Sequence, residues 1–213
     1  MKRVTGFILT AVMILVLSTP VIAQESRDFR MTIKTNPLSA LGGPFWVLIV
    51  PVTGEYKALF EIKTTEKTSL QVGASYIGPS LLLNLDELTN EGEDISGIKT
   101  SGVKFQGMFK YFLSSDLSAP EGFYIGPHAS FATAKIKSVD DPTDYITGTK
   151  INVNGVIGYQ LITSGGFTLD IFTGLGFVSR KYITSGDGGE IFDLGGNKSS
   201  VNVPLGFSFG IAF

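Results

Sequence analysis

The chain has 213 residues, a length that suits one domain and is short for two. It holds no cysteine, which excludes disulfides, thiolate metal sites, a cysteine nucleophile and a lipid-bearing cysteine. A net charge of -2, with only 17% charged residues beside 26 glycines and 11% aromatics, argues against a nucleic-acid binder and fits a lipid-embedded sheet better than a soluble globule.

At the N-terminus Lys2 and Arg3 precede an apolar run over residues 7–17, then Pro20 and the small-residue exit Val21, Ile22 and Ala23. This pattern reads as a secretory signal peptide over residues 1–23, cleaved after Ala23, with residues 24–213 as the mature domain. The run is too short to span a bilayer, and no later segment offers about eighteen consecutive apolar residues. An exported chain without a spanning helix enters a membrane only as a closed barrel.

The mature chain alternates with a period of two, the mark of strands with one apolar and one polar face. Arg30, Thr32, Lys34 and Asn36 alternate with Phe29, Met31, Ile33 and Thr35 in a first strand, which Pro37 ends. After a turn at SALGGP, a second strand is predicted from Trp46 to Phe60, with Tyr56, Ala58 and Phe60 outward and Glu55, Lys57 and Leu59 inward; Pro51 is expected at a bulge or rim. Residues 63–67 read as a polar turn, and Leu70, Val72, Ala74 and Tyr76 oppose Gln71, Gly73 and Ser75 in a third strand. Val103, Phe105, Phe109 and Tyr111 face away from Lys104, Gln106, Met108 and Lys110 in a fourth. A fifth sets Phe123, Ile125 and Phe131 against Tyr124, His128 and Ser130, and a sixth sets Ile151, Val153, Ile157 and Tyr159 against Asn152, Asn154 and Gln160. TSGG at 163–166 is a tight hairpin. The seventh strand carries Phe167, Leu169, Ile171, Leu175 and Phe177 outside and Asp170 and Arg180 inside. The last thirteen residues, VNVPLGFSFGIAF, place Val201, Val203, Leu205, Phe207, Phe209, Ile211 and Phe213 on one face of an eighth.

These elements predict an all-β, eight-stranded, antiparallel up-and-down transmembrane barrel with apolar positions toward lipid. An even strand number puts both termini on one side. Connections two, four and six read as shorter than connections three, five and seven, so the loops around 79–98, 138–148 and 183–200 are expected outside the cell and the short turns in the periplasm. The first connection is the exception, short where a long loop is expected. Eight strands leave a lumen just filled by side chains, so no open pore is expected. The ending in Phe207, Phe209, Ile211 and Phe213 resembles the C-terminal signature of bacterial outer-membrane barrels, which implies insertion by the outer-membrane assembly machinery.

Alternation points Arg30, Lys34, Lys57, Lys104, Lys110 and Arg180 into the lumen, with Glu55 and Asp170 as inward acids and His128 and Ser130 beside them. Charges withdrawn from bulk water are paired or hydrated, so a salt-bridged plug is the first expectation and a basic lumen that binds a small anion or ligand the second.

The segments IKTNPLSALGG, GEYKALFEIKTTEKTSLQVGASY and GFYIGPHASF resemble a family of small outer-membrane barrels of uncharacterised function common in Bacteroidota, the DUF3575-like group of OmpA/OmpX-type eight-stranded barrels. The matching positions are Lys34, Asn36, Pro37, Leu38, Glu55, Tyr56, Ser69, Leu70, Gly73 and Tyr76. The resemblance implies the same barrel and carries over no catalytic residue.

Three features bear on chemistry. His128 and Ser130 form an H-x-S pair similar to that of lipid A deacylases, but their expected lumen position and the lack of a following Glu favour a hydrogen-bond network over esterase catalysis. The acidic stretch 86–94 lacks the spacing of a defined calcium loop and reads as a solvated surface. The glycines at 186–196 match no phosphate-loop pattern. Trp46, Tyr56, Tyr111, Phe123, Tyr159 and Tyr182 suit interfacial aromatic girdles. The sequence therefore predicts a non-enzymatic barrel of the cell outer membrane. No cofactor, metal or nucleic acid is expected, and its partners are the bilayer, the assembly machinery and a protein at the outer loops. A lipid A-modifying esterase is the alternative, and a soluble periplasmic barrel of lipocalin type, with the apolar face inside, is the architectural one.

Overall fold

The computed structural model describes residues 28–44, 46–47, 50–51, 53–81, 98–138, 143, 145–185 and 198–213. The signal peptide, the acidic stretch 86–94 and the glycine-rich residues 186–196 lie outside these. The strands are β1 (Met31–Thr35), β2 (Trp46–Val47), β3 (Val50–Pro51), β4 (Thr53–Thr65), β5 (Thr68–Pro79), β6 (Ile98–Phe112), β7 (Gly122–Ser138), β8 (Tyr145–Ile162), β9 (Phe167–Ser185), β10 (Lys198–Asn202) and β11 (Leu205–Ala212), with a 3-10 turn at Pro37–Ala40.

β10 and β11 are one strand with a gap at Val203 and Pro204. Both pair with β9, and Asn202 opposite Gly176 continues into Leu205 opposite Thr173 without a slip. Proline brings no N–H to a ladder; Thr173 Oγ1 instead donates to the Pro204 carbonyl at 3.0 Å. Counted so, eight antiparallel strands close on themselves: β1 pairs with β4 on one side and β11 on the other, and β8 pairs with β9. The hairpin at 163–166 is tight, Gly166 taking φ 85° where a β-carbon would be strained.

The side-chain period of two sorts the faces. On β4, Tyr56, Phe60 and Ile62 are exposed while Glu55, Leu59 and Glu61 are buried. Leu205 and Phe177 are 83% and 69% exposed, whereas Lys34, Lys110 and Glu61 are at 1% or below. The apolar side is outside and the charges are inside, the reverse of a lipocalin-type barrel. No described helix is long and apolar enough to cross a membrane.

Four expectations change. The predicted second strand is divided: Trp46–Val47 and Val50–Pro51 form their own two-stranded sheet, and the barrel strand runs from Thr53 to Thr65, past the expected turn. Pro51 tolerates its place because that small ladder is only two residue pairs long. β7 and β8 are longer than predicted, so their connection, 139–144, is shorter than the one at 113–121, and strict alternation of short and long connections does not hold. Tyr182 turns inward against Ile77, Ala132 and Ala134 instead of joining an outer girdle, because it keeps the inward parity of Asp170 and Arg180.

Candidate functional site

The lumen contains two charged regions in series. Nearer the short turns lies a quartet of Lys34 from β1, Glu61 from β4, Lys110 from β6 and Asp170 from β9. Each ammonium makes the same three hydrogen bonds: Lys34 Nζ donates to Glu61 Oε2 (2.6 Å), Gln160 Oε1 (2.9 Å) and Asp170 Oδ2 (2.8 Å), and Lys110 Nζ donates to the same atoms at 3.1, 2.7 and 2.7 Å. An ammonium has three N–H groups, so both are fully used. The outer carboxylate oxygens are taken too, Glu61 Oε1 by the Ser69 hydroxyl and Asp170 Oδ1 by the Tyr124 hydroxyl at 2.6 Å. Tyr124 packs on Phe112, and the Lys110 ammonium sits 4.5 Å from its ring centre. Gly158 makes room for this phenol: a β-carbon there would lie 2.5 Å from Tyr124 Cζ. The four charges cancel and the side chains are at 0–1% exposure. The two ammoniums and two carboxylates satisfy one another, and Gln160 Nε2 beside them is buried without a partner among the described residues; the group fills the lumen at this level.

Beyond it, toward the longer strand ends, lies a second group. Glu55 from β4 accepts two hydrogen bonds from Lys104 of β6, at 3.0 Å each, one from Ser75 at 2.8 Å, and pairs with Lys57 at 3.3 Å. These lysines border a cavity of about 270 Å³ that also touches Lys150, His128, Ser130, Asn152, Asn154 and Phe172. Lys150 Nζ donates to the Pro44 carbonyl at 3.3 Å. Asn202 Nδ2 donates to Asn154 Oδ1 (3.0 Å), whose Nδ2 donates to His128 Nδ1 (3.2 Å). With the amides so oriented, the His128 proton sits on Nε2, which is buried without a partner among the described residues. Asn152 Nδ2 donates to Ser130 Oγ at 2.9 Å, leaving Asn152 Oδ1 open.

Of the predicted lumen residues, the structure gathers Lys34, Lys110 and Asp170 in the quartet, Glu55, Lys57 and Lys104 in the second group, and His128 and Ser130 on the cavity wall. Arg180 is half-buried and reaches Ser200 Oγ at 3.4 Å. Arg30 is a correction: its side chain is 78% exposed, beside Asp28 at 3.4 Å. It precedes β1, so the alternation that places Lys34 inward does not extend to it. Phe209, Ile211 and Phe213 lie along the closing seam with β1, while among the described residues Phe207 pairs only with β9. Sequence reasoning missed Glu61, the second acid of the quartet. The signal was available: the inward set Glu55, Lys57, Leu59 continues to Glu61 if the strand passes Phe60. Tyr124 and Gln160 were placed inward but not assigned to the charges they bind.

Among the described residues no cluster of three or more His, Asp or Glu side chains could hold a metal ion. Residues 9–188 match a protein family described as "Protein of unknown function (DUF3575)". The matched span ends before β10 and β11, which close the barrel. No curated protein and no solved structure matches the chain.

Proposed function

This chain belongs to the DUF3575 family of proteins of unknown function, and we propose that it is an integral outer-membrane barrel with a non-catalytic, interaction or structural role. The observation that carries the reading is the sheath of large apolar side chains around a charged lumen. Phe105, Ile157, Phe167, Leu175 and Phe177 are all between 50% and 69% exposed on strands whose other faces bury charged or amide side chains. A face this apolar in water drives aggregation; in lipid it is the solvated side.

The aromatic positions support a bilayer of ordinary thickness. Tyr111, Phe123 and Tyr159 are exposed near the short turns, Phe123 and Tyr159 meeting edge to face at 4.6 Å. Tyr56 and Tyr76 form an exposed pair toward the other end, with ring centres 6.2 Å apart. Tyr76 lies opposite Val103, on the strand that carries Tyr111. At a rise of about 3.4 Å per residue the two belts are roughly 27 Å apart along β6; a strand tilt of about 35–45° projects this to roughly 19–22 Å along the membrane normal, a little under the apolar band of about 25 Å found in such barrels.

The non-catalytic part rests on the environment of the H-x-S pair. His128 Nδ1 is held by an amide rather than a carboxylate, and both residues face the lumen, away from acyl chains outside. The long strands β7, β8 and β9 and their loops are then the surface offered to the exterior or to a partner protein.

Protein extracted from an outer-membrane fraction should change gel mobility on boiling. A freely soluble protein of single mobility would sink the membrane reading. Lipid A mass spectra from cells carrying wild type and His128→Ala should be identical; a species lost in the variant would restore the esterase.

A further inference from the structure

We propose that the lumen cavity between Lys57, Lys104 and Lys150 is a binding site for a small oxyanion of the phosphate class, free or carried as a lipid headgroup. Three ammoniums meet one carboxylate, Glu55, among the described residues around this space. Two positive charges are therefore unmatched there, and Arg180 lies directly across from Lys150 on the neighbouring strand. Buried charge without a counter-charge is costly, and an anion with its water offsets that cost.

His128 supplies an independent observation. The residue is 7% exposed, lines the cavity, and presents an Nε2–H with no acceptor among the described residues. The chain of amides from Asn202 through Asn154 occupies Nδ1 and so fixes that proton on Nε2. A tetrahedral oxyanion accepts from ammonium and imidazole N–H alike, in charge-assisted bonds stronger than those a neutral ligand makes. A cavity of about 270 Å³ holds such a group with several waters.

The cavity also lies beside the edge of the last strand. β1 stops at Thr35, opposite Phe209, so above that point, among the described residues, the last strand pairs with β9 alone. Pro204, Leu205 and Gly206 of this edge form part of the cavity wall, while Val203 and Leu205 are 66% and 83% exposed on its outer side. A phosphate attached to acyl chains would enter here without threading the barrel.

The test uses the full chain in maltoside micelles, free of phosphate and sulfate, with ¹⁵N-labelled histidine. The sequence has one histidine, so the imidazole spectrum reports this site alone. Inorganic phosphate and phosphatidic acid are titrated separately, with diacylglycerol as the phosphate-free control. A saturable shift of Nε2 is expected. Lys104→Gln and Lys150→Gln should each weaken binding about tenfold or more, and Lys181→Gln, on an exposed position, should leave it unchanged. A response to phosphate assigns a free anion; a response to phosphatidic acid alone assigns a headgroup. No saturable shift with either, an equal response to diacylglycerol, or affinity indifferent to both lysine substitutions would overturn the site. Lys150→Gln carries the test if Lys104→Gln fails to fold, since Lys150 is held by a carbonyl and its loss strands no carboxylate.

Discussion

The quartet and the cavity draw on the same residue types and share two strands, yet they do opposite things. β4 contributes Glu61 to one and Glu55 with Lys57 to the other; β6 contributes Lys110 and Lys104 in the same way. In the quartet, two ammoniums face two carboxylates and every strong donor is used. In the cavity, three ammoniums face one carboxylate and a histidine N–H is left over. The difference in stoichiometry decides the difference in character: matched charges exclude water and plug the lumen, and unmatched charges keep water or an anion beside them.

The largest predicted effect comes from unbalancing the quartet. Glu61→Gln leaves two fully buried lysines on one carboxylate and should destabilise the barrel by about 3–5 kcal/mol, read from urea unfolding in vesicles. The matching change in the other region, Glu55→Gln, should cost roughly 1–2 kcal/mol, because Lys57 and Lys104 keep contact with the cavity. Equal losses would mean that both regions are equally dry, and the contrast would collapse.

A double substitution sharpens the same point. Lys34→Met with Glu61→Met removes one charge of each sign and leaves Lys110 on Asp170 at 2.7 Å. Much of the loss seen in Glu61→Gln should return, with a coupling energy of about 2 kcal/mol or more between the two sites. Additive losses would show that the two side chains matter through packing and not through charge balance.

Tyr124→Phe should cost about 1.5–3 kcal/mol by removing a hydroxyl that donates to a charged oxygen while keeping the ring against Phe112. A loss well below that range would mean water replaces the hydroxyl, and the quartet would then not be closed to solvent.

How far these two regions were legible follows from the range of each contact. Alternation is local, so inward and outward positions on β5 to β9 could be read directly, and with them the inverted barrel. Strand ends are set by tertiary pairing, and there the reading failed. β4 continues to Thr65 because β5 pairs with it along its length, which carries Glu61 into the lumen; β1 begins at Met31, which leaves Arg30 outside. Which lysine meets which acid was not legible at all. Lys34 and Asp170 are 136 residues apart in sequence, and only closure of the barrel brings them together. The cavity's charge excess was partly visible in the preponderance of inward lysines, but its location depends on β1 stopping short and on the gap at Pro204.

The smallest effect tests whether dryness or composition gives the quartet its strength. At the short-turn rim Lys63 contacts Asp28 at 2.6 Å and Glu66 at 2.9 Å, close to the distances Lys34 makes to Glu61 and Asp170. Here the carboxylates are in water. The hydrogen bond from Lys63 holds both carboxyls below their ordinary values of 3.8 and 4.5. Because the folded value lies below the unfolded one, the contact stabilises at pH above the ordinary carboxylate range and is lost as pH falls through the folded value. Lys63→Met should raise the carbon-13 carboxyl midpoints of Asp28 and Glu66 toward ordinary values, Arg30 still holding Asp28 down in part, and leave urea stability at neutral pH nearly unchanged, since exposed pairs contribute little. A loss approaching that of Glu61→Gln would mean that one lysine between two acids is enough, wet or dry, and that burial is not what distinguishes the quartet from the rim.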